Sequence, residues 1–365
     1  MREFWRGRKV LITGQTGFKG SWLAFWLSEM GATVSGVSLK PQTAPNLYDI
    51  LSLSQRGMFI TEDINNSDAL VKILLSGKAE IVIHMAAQAL VRTSYTTPVE
   101  TFATNVVGTV SLLNAVRRSP SVECVLIVTS DKVYENRNLS RGYREIDDLG
   151  GDDPYSASKA CTEIAAQAMR RSFFGKGKHP ARIATVRAGN VIGGGDWSKD
   201  RLVADVVRGC LGETGVVTLR NPDALRPWQH VLDALSAYLK LAELLFKKDK
   251  GYDEAWNVGP DAGETHPVRE VANILVNALG KGTIHIATNN GALHESNVLL
   301  LDSTKANSKL NWRPVFDFYS TLSMTAEWYS EWATGKQMTE ITLSQIGMIE
   351  EANEKQTTGS RNERN

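Results

Sequence analysis

Val125-Leu126-Ile127-Val128-Thr129-Ser130-Asp131-Lys132-Val133-Tyr134, answered further on by Asp153-Pro154-Tyr155-Ser156-Ala157-Ser158-Lys159, is the pair of segments on which the fold turns. The first opens as an apolar run of the kind that fills a strand buried on both faces. It then breaks into a hydroxyl, a carboxylate and an amine in succession. Such a triplet is costly for packing, and the carboxyl end of a buried strand is where open α/β sheets bind their ligands. The second segment opens a helical pattern in which Tyr155 and Lys159, four apart, share one face. An ammonium beside a phenol favours the phenolate, so the Tyr155 pKa is expected to fall toward working pH.

Working outward, Lys9-Val10-Leu11-Ile12-Thr13 reads as a short buried strand. Gly14-Gln15-Thr16-Gly17-Phe18-Lys19-Gly20 follows at once and runs into a helical pattern over residues 22–30. Strand, glycine loop, helix is the context of a dinucleotide site, in which backbone approaches a pyrophosphate and the helix N-terminus holds its charge. After the second strand, Thr33-Val34-Ser35-Gly36-Val37, an acid normally grips the ribose hydroxyls. Ser38-Leu39-Lys40 stands there instead, which predicts a weak hold on NAD and some tolerance of NADP. Asp63 and Ile64, past the third strand, are candidates for the adenine, with an N-cap role for Asp63 or Asn66 as the alternative. The fourth strand, Glu80-Ile81-Val82-Ile83-His84, runs into Met85-Ala86-Ala87-Gln88, small residues that let a cofactor pass closely, and His84 reads as a satisfied core histidine. Residues 99–118 read as one long helix carrying Asn105 as a polar group in a proton path. That helix and the one over 155–174, with its small and apolar face, are expected to pair with their copies in a homodimer by a four-helix bundle, or in a tetramer.

The sixth strand, Arg182-Ile183-Ala184-Thr185-Val186-Arg187, leads into a second glycine-rich loop, residues 188–197, whose Asn190 suits a phosphate. Arg226, Trp228 and His230 follow: an arginine can fork a phosphate and a tryptophan can stack a base. The expected division is a dinucleotide domain over 1–190 with 227–258 returning to it, a smaller α/β substrate domain from 191–226 and 259–345, and a polar, frayed tail from 346 to 365.

Bulk properties narrow the classes. With 365 residues the chain supports a sizeable core, and 41 Lys and Arg against 40 Asp and Glu leave no net field for nucleic acid or membrane. No apolar run approaches the ~20 residues of a membrane span. A strand beginning by Lys9 leaves no room for a signal peptide, so a cytoplasmic location is expected. Three cysteines without a framework point to a reducing compartment, with Cys124 and Cys161 read as buried small hydrophobes. Six scattered histidines suggest no metal site.

The glycine loop, Asn105, Ser130-Asp131-Lys132 and Tyr155-x-x-x-Lys159 together resemble the extended short-chain dehydrogenase/reductase family, over about residues 9–332. The triplet before the tyrosine helix is similar to that of its sugar-nucleotide 4,6-dehydratase branch. The resemblance implies a Rossmann-type doubly wound parallel sheet, NAD as cofactor and CDP-glucose as substrate, in 3,6-dideoxyhexose and O-antigen sugar synthesis. It implies catalytic roles for Ser130, Asp131, Lys132, Tyr155 and Lys159. Gly14, Thr16, Gly17, Phe18, Lys19, Gly20, Asp63, Ile64, Ala86, Ala87, Gln88 and Asn105, with Tyr155 and Lys159, would face the cofactor, and Asn190, Arg201, Arg226 and His230 the substrate. Lys132 departs from the branch, which has Glu there. As a base for the sugar C5 proton it would need its pKa, ordinarily about 10.4, lowered by burial and by Lys159 nearby. A 4-epimerase or reductase on the same fold needs Tyr155 and Lys159 but no acid and base beside them. A non-catalytic dinucleotide module needs neither.

Overall fold

The computed structural model describes residues 1–175, 178–248, 251–261, 263–287 and 299–362. Seven strands form one sheet: β1 (Lys9–Thr13), β2 (Thr33–Ser38), β3 (Met58–Thr61), β4 (Ile81–His84), β5 (Cys124–Val128), β6 (Arg182–Arg187) and the strand Ala255–Asn257. Their order across the sheet is Ala255–Asn257, β6, β5, β4, β1, β2, β3, and every pairing is parallel. The expected doubly wound α/β fold is the one observed. Successive side chains of the central strands β1, β4, β5 and β6 serve opposite cores. Val10, Ile12, Ile83, Leu126 and Val186 join one apolar cluster, and Leu11, Val82, Val125, Ile127 and Ile183 the other. Burying both faces is what makes these strands read as unbroken apolar runs. β1 pairs with β2 on one side and β4 on the other, so the chain changes direction there and a crevice opens beyond its carboxyl end.

Beyond β6 the chain leaves the sheet and returns to it at Ala255–Asn257, which pairs with β6 from Ala255↔Thr185 to Asn257↔Arg187. The excursion and the segment after it build small sheets: Val191–Ile192 beside Gln229–His230, Leu225–Arg226 antiparallel to His266–Pro267, and Val216–Leu219 parallel to Thr283–Ile286. No helix among the described residues is long and apolar enough to cross a membrane.

Three expectations are corrected. The single helix over 99–118 is an α-helix, Pro98–Phe102, a π-helical segment, Ala103–Val107, and a second α-helix, Gly108–Val116. One reason is Asn105, whose carbonyl accepts from the Thr109 and Thr162 hydroxyls and whose side chain reaches Gln88. The polar tail from 346 is instead part of a helix, Met338–Asn362. Ile346 and Ile349 are three apart and both fully buried, while Glu350 accepts from the Trp26 indole (2.9 Å) and pairs with Arg2 (2.7 Å). Cys161 is half-buried on its helix; Cys124 lies in the core.

Candidate active site

Where β5 ends, Ser130 is extended and begins a short turn of 3-10 helix, Asp131–Val133. Its hydroxyl accepts from the Lys132 N–H (3.2 Å) and donates to Asp131 Oδ1 (2.9 Å). Asp131 is buried against Gly189, in the loop after β6: a Cβ there would lie 2.0 Å from Asp131 Oδ2, so only glycine fits. Asp131 and Gly189 line a small cavity with Pro227, Gln229 and Leu301.

The helix Pro154–Phe173 starts beside this point, with Asp153 capping it through the Ser156 N–H (2.9 Å) and Pro154 in its first turn. The Tyr155 N–H donates to Ser94 Oγ (3.1 Å). Its phenol is buried and contacts Ser130; burial pushes its pKa up and the Ser130 hydrogen bond opposes that. Burial therefore removes the expected fall from the protein by itself, and the Lys159 ammonium donates to the Val128 carbonyl (3.3 Å). Burial lowers the Lys159 pKa to about 8, with Glu163 working against it. Lys132 is half-buried, and its side chain forms no hydrogen bond or ion pair among the described residues. The amine that is strongly pushed down is Lys19, to about 7, by burial first and then by Arg201 and Lys159, with Asp131 opposing. Its Nζ lies 5.7 Å from the centre of the Tyr238 ring. Arg201, Asp131 and Asp153 thus act on the Tyr155 phenol, and Arg201, Lys159 and Asp131 on the Lys19 amine.

A second polar network sits beneath these groups. Thr13 Oγ1 accepts from the Met85 and Ala86 N–H groups (both 3.1 Å), so its hydrogen goes to His84 Nδ1 (2.7 Å). Thr109 Oγ1 donates to the Asn105 carbonyl and accepts from His84 Nε2 (2.9 Å). The imidazole is thereby fixed as the neutral Nε2–H form, and burial, with Lys159 adding to it, lowers its pKa to about 3. Asn105 donates to Ser158 Oγ (2.8 Å), which donates to the Tyr155 carbonyl (2.7 Å). The ends of β1 and β4, the π-helical segment and the tyrosine helix are joined by this chain of bonds.

The residues at the crevice fit a dinucleotide. Gly14 has φ +79°, and a Cβ on it would lie 2.7 Å from the Ala86 nitrogen. The helix Phe18–Glu29 begins at Gly17 with no side-chain cap, leaving its first N–H groups for an anion. Thr16 Oγ1 and Ser38 Oγ are 2.6 Å apart where a ribose acid would stand. Asp63 Oδ1 accepts from the Asn65 N–H (2.8 Å) and Asn66 caps the helix Ser67–Gly77, so the N-cap alternative falls to Asn66; Ile64 beside them is buried. Gln88 is held by Thr101 and Leu90.

On the substrate side, Arg201 reaches the site and lies 3.7 Å from Asp196. Asn190 takes φ +49° and its carbonyl accepts from the Gln229 N–H (3.2 Å). Arg226 lies on the short strand Leu225–Arg226. Two expectations give way. His230 is 0% exposed, packs between Trp22 and Phe316, and caps the helix Val231–Phe246 through Nδ1. Trp228 is buried and donates to the His266 carbonyl (3.1 Å), so it offers no stacking face. The reading of the sequence missed Glu163, a buried carboxylate four residues beyond Lys159 on the same helical face. Among the described residues, no three His, Cys, Asp or Glu side chains are grouped to hold a metal ion.

The family model for GDP-mannose 4,6-dehydratase matches residues 11–325, and the chain belongs to that family. A CDP-glucose 4,6-dehydratase of Salmonella typhimurium is 43% identical over 92% of this chain and 94% of its own length. A dTDP-glucose 4,6-dehydratase of Xanthomonas campestris is 25% identical over 92% of this chain and 98% of its own. In fold, the chain resembles a Bacillus anthracis dTDP-glucose 4,6-dehydratase solved with NAD (TM-score 0.73, 23% identity, 89% of this chain and 97% of that one). It also resembles a Stenotrophomonas UDP-glucose 4-epimerase solved with NAD (TM-score 0.77, 20% identity, 90% of this chain and 100% of that one).

Neutral, buried His84 makes stability depend on pH. Its folded pKa of about 3 lies below the unfolded value, so the unfolded chain takes the extra proton and stability falls as pH drops below 6.5. His84→Gln should be less stable at pH 7.5. Its urea midpoint should also fall less between pH 6.5 and 5, the slope being shallower by up to about 1.4 kcal/mol per pH unit. Parallel slopes in parent and variant would show that His84 does not set this dependence.

Proposed function

We propose that the protein converts CDP-glucose to CDP-4-keto-6-deoxyglucose and water. The observation that carries this reading is the Ser130-Asp131 pair packed against Tyr155, an acid that a 4-epimerase or reductase has no use for, in a chain 43% identical to a CDP-glucose 4,6-dehydratase. Bound NAD would supply the hydride acceptor for the sugar C4 and the hydride donor for C6. Tyr155, with Lys159 behind it, removes the O4 proton, and Ser130 donates to the developing C4 oxyanion. The 4-ketone acidifies the C5 hydrogen, which a base takes. Asp131, protonated at this stage, gives its proton to the departing C6 hydroxyl, which leaves as water, and the base returns a proton to C5 as hydride comes back to C6. The fit to NAD rests on the uncapped glycine-loop helix and the close pass at Ala86; Thr16 and Ser38 would hold the ribose and Arg201 a substrate phosphate. Parent enzyme with CDP-glucose and NAD should give a product 18 mass units lighter, with dTDP-, UDP- and GDP-glucose as comparisons (water lost, one equivalent). Tyr155→Phe should bind the sugar nucleotide yet turn over at least about a hundredfold more slowly, at the low end of a general base's share. Turnover within tenfold of the parent would remove Tyr155 from the role.

The base for the C5 proton lies between two lysines. Lys132 occupies the position where the branch carries Glu. Lys19 has the lowered pKa, about 7, that a lysine base needs at neutral pH. In deuterated water, whichever of Lys132→Met and Lys19→Met removes the base should still oxidise C4 and accumulate NADH while C5 exchange is lost. Parent-rate exchange in both would assign the proton to neither.

The assembly we propose is a homodimer. Val99, Val107 and Ile164 are 74%, 54% and 56% exposed on the helices 98–116 and Pro154–Phe173 and would meet their copies in a four-helix bundle. Ile164→Asp should convert a dimer to monomer in sedimentation equilibrium, and a monomeric parent would sink the idea. A cytoplasmic location and a role in lipopolysaccharide sugar synthesis belong to the same proposal and rest on the likeness to a CDP-glucose 4,6-dehydratase.

A further inference from the structure

We propose that Glu163 is the positioning residue of this site: it holds the strand end carrying Ser130 and Asp131 in register with Tyr155 and Lys159, and it sustains the charge on Lys159. The inference rests on the dehydratase reading above.

Glu163 lies four residues beyond Lys159 and eight beyond Tyr155, on one face of the helix Pro154–Phe173. Its side chain is almost fully enclosed, and its two oxygens accept four hydrogen bonds. Thr129 Oγ1 donates at 2.6 Å, Thr185 Oγ1 at 2.6 Å, Arg187 Nε at 3.0 Å and the second Arg187 nitrogen at 3.1 Å. Every lone-pair direction of a carboxylate is filled by such a set. Each donor comes from the end of β5 or β6. Thr129 immediately precedes Ser130, and Arg187 stands two residues before Gly189, whose backbone packs on Asp131. One carboxylate therefore ties the tyrosine helix to both strand ends that shape the acid. Arg187 carries the link onward: it donates to the Tyr134 hydroxyl (2.7 Å), which donates to Asn257 (2.7 Å) on the returning strand.

The electrostatic side points the same way. Burial favours protonated Glu163, but Arg187 and the hydrogen-bond donors outweigh it and keep the group below the usual carboxylate range. Lys159 is pushed down by burial, and Glu163 is the group that resists this. The other ionisable groups facing Lys159 are Lys19, from the glycine-loop helix, and His84, from β4. Neither supplies a negative charge. Arg187 and, more weakly, Arg170 face Glu163 itself. A buried ion pair adds little net stability over well-packed apolar side chains, so its retention here calls for another reason.

Removing the carboxylate charge should lower the Lys159 pKa further. The ammonium then loses its proton at lower pH, and the alkaline limb of the rate profile moves down. The test is Glu163→Gln and Glu163→Asp, with CDP-glucose turnover followed from pH 6 to 10 beside the parent. For Glu163→Gln we expect kcat at pH 8 to fall at least tenfold, KM to stay within threefold, and the alkaline limb to move down by about one pH unit. Glu163→Asp, which keeps the charge, should leave the limb at the parent position. An unmoved limb in Glu163→Gln, or a loss confined to KM, would overturn the proposal. Should Glu163→Gln fail to fold, Thr129→Val decides, because it cuts the tie to Ser130 and leaves both buried charges paired. A threefold or greater loss of kcat at constant KM supports the proposal; parent kcat overturns it. A parent that turns over CDP-glucose while the variants match it counts against Glu163 alone. A parent inert toward CDP-glucose counts against the dehydratase reading on which the proposal stands.

Discussion

Seven parallel strands must end on the same edge of their sheet, and most of the polar architecture of this molecule answers to that constraint. Parallel pairing buries both faces, so the interior of each strand is closed to chemistry and only the carboxyl ends are available. Thr13-Gly14, His84-Met85-Ala86, Val128-Thr129-Ser130 and Arg187-Ala188-Gly189 are therefore neighbours, although they lie far apart in the chain. Register completes the arrangement: Thr13 lies opposite His84, and Val128 opposite Val186. Groups that would be expensive in the core are tolerated at this edge because each finds partners there. The His84 imidazole lies between two hydroxyls, and the Glu163 carboxylate accepts from four donors.

Charge at the edge is unbalanced in one direction. Lys19, Lys159 and Arg201 gather around Asp131, while burial keeps His84 neutral and the Tyr155 phenol protonated. Burial lowers the pKa of both lysines, and at Lys19 repulsion from Arg201 and Lys159 adds to it. A doubly charged diphosphate would relieve that repulsion. The chain by itself is thus poised for an anionic partner.

The periodic features were legible in the residues. Short apolar runs marked the strands, the glycine loop marked the crevice, and the four-residue spacing of Tyr155 and Lys159 marked the reactive helix face. What was not legible depends on long-range contact. Residues 346–362 read as a polar tail because the two isoleucines that anchor the helix are few among charges, and their value appears only against Trp26 and Arg2. His230 and Trp228 looked like ligands for a nucleotide because residue type says nothing of burial. Adjacency to Asp131 in sequence points to Lys132 as the base, but a second candidate with a lowered pKa exists. It stands at Lys19, brought close by the turn of the glycine loop. Glu163 could have been found from its spacing, since a carboxylate continuing the Tyr155 and Lys159 face seldom lies on a buried stripe without partners.

The hydrogen bond between Trp26 and Glu350 spans 324 positions, and the ion pair between Arg2 and the same carboxylate spans 348. A ribosome makes the first partners of both long before the last. Until Glu350 has emerged, the indole N–H of Trp26, on the helix that follows the glycine loop, lacks its native acceptor. The dinucleotide half can collapse early, but the back of the helix Phe18–Glu29 is sealed only once Glu350 has been made. The order of synthesis thus leaves this packing to close after the rest of the dinucleotide half.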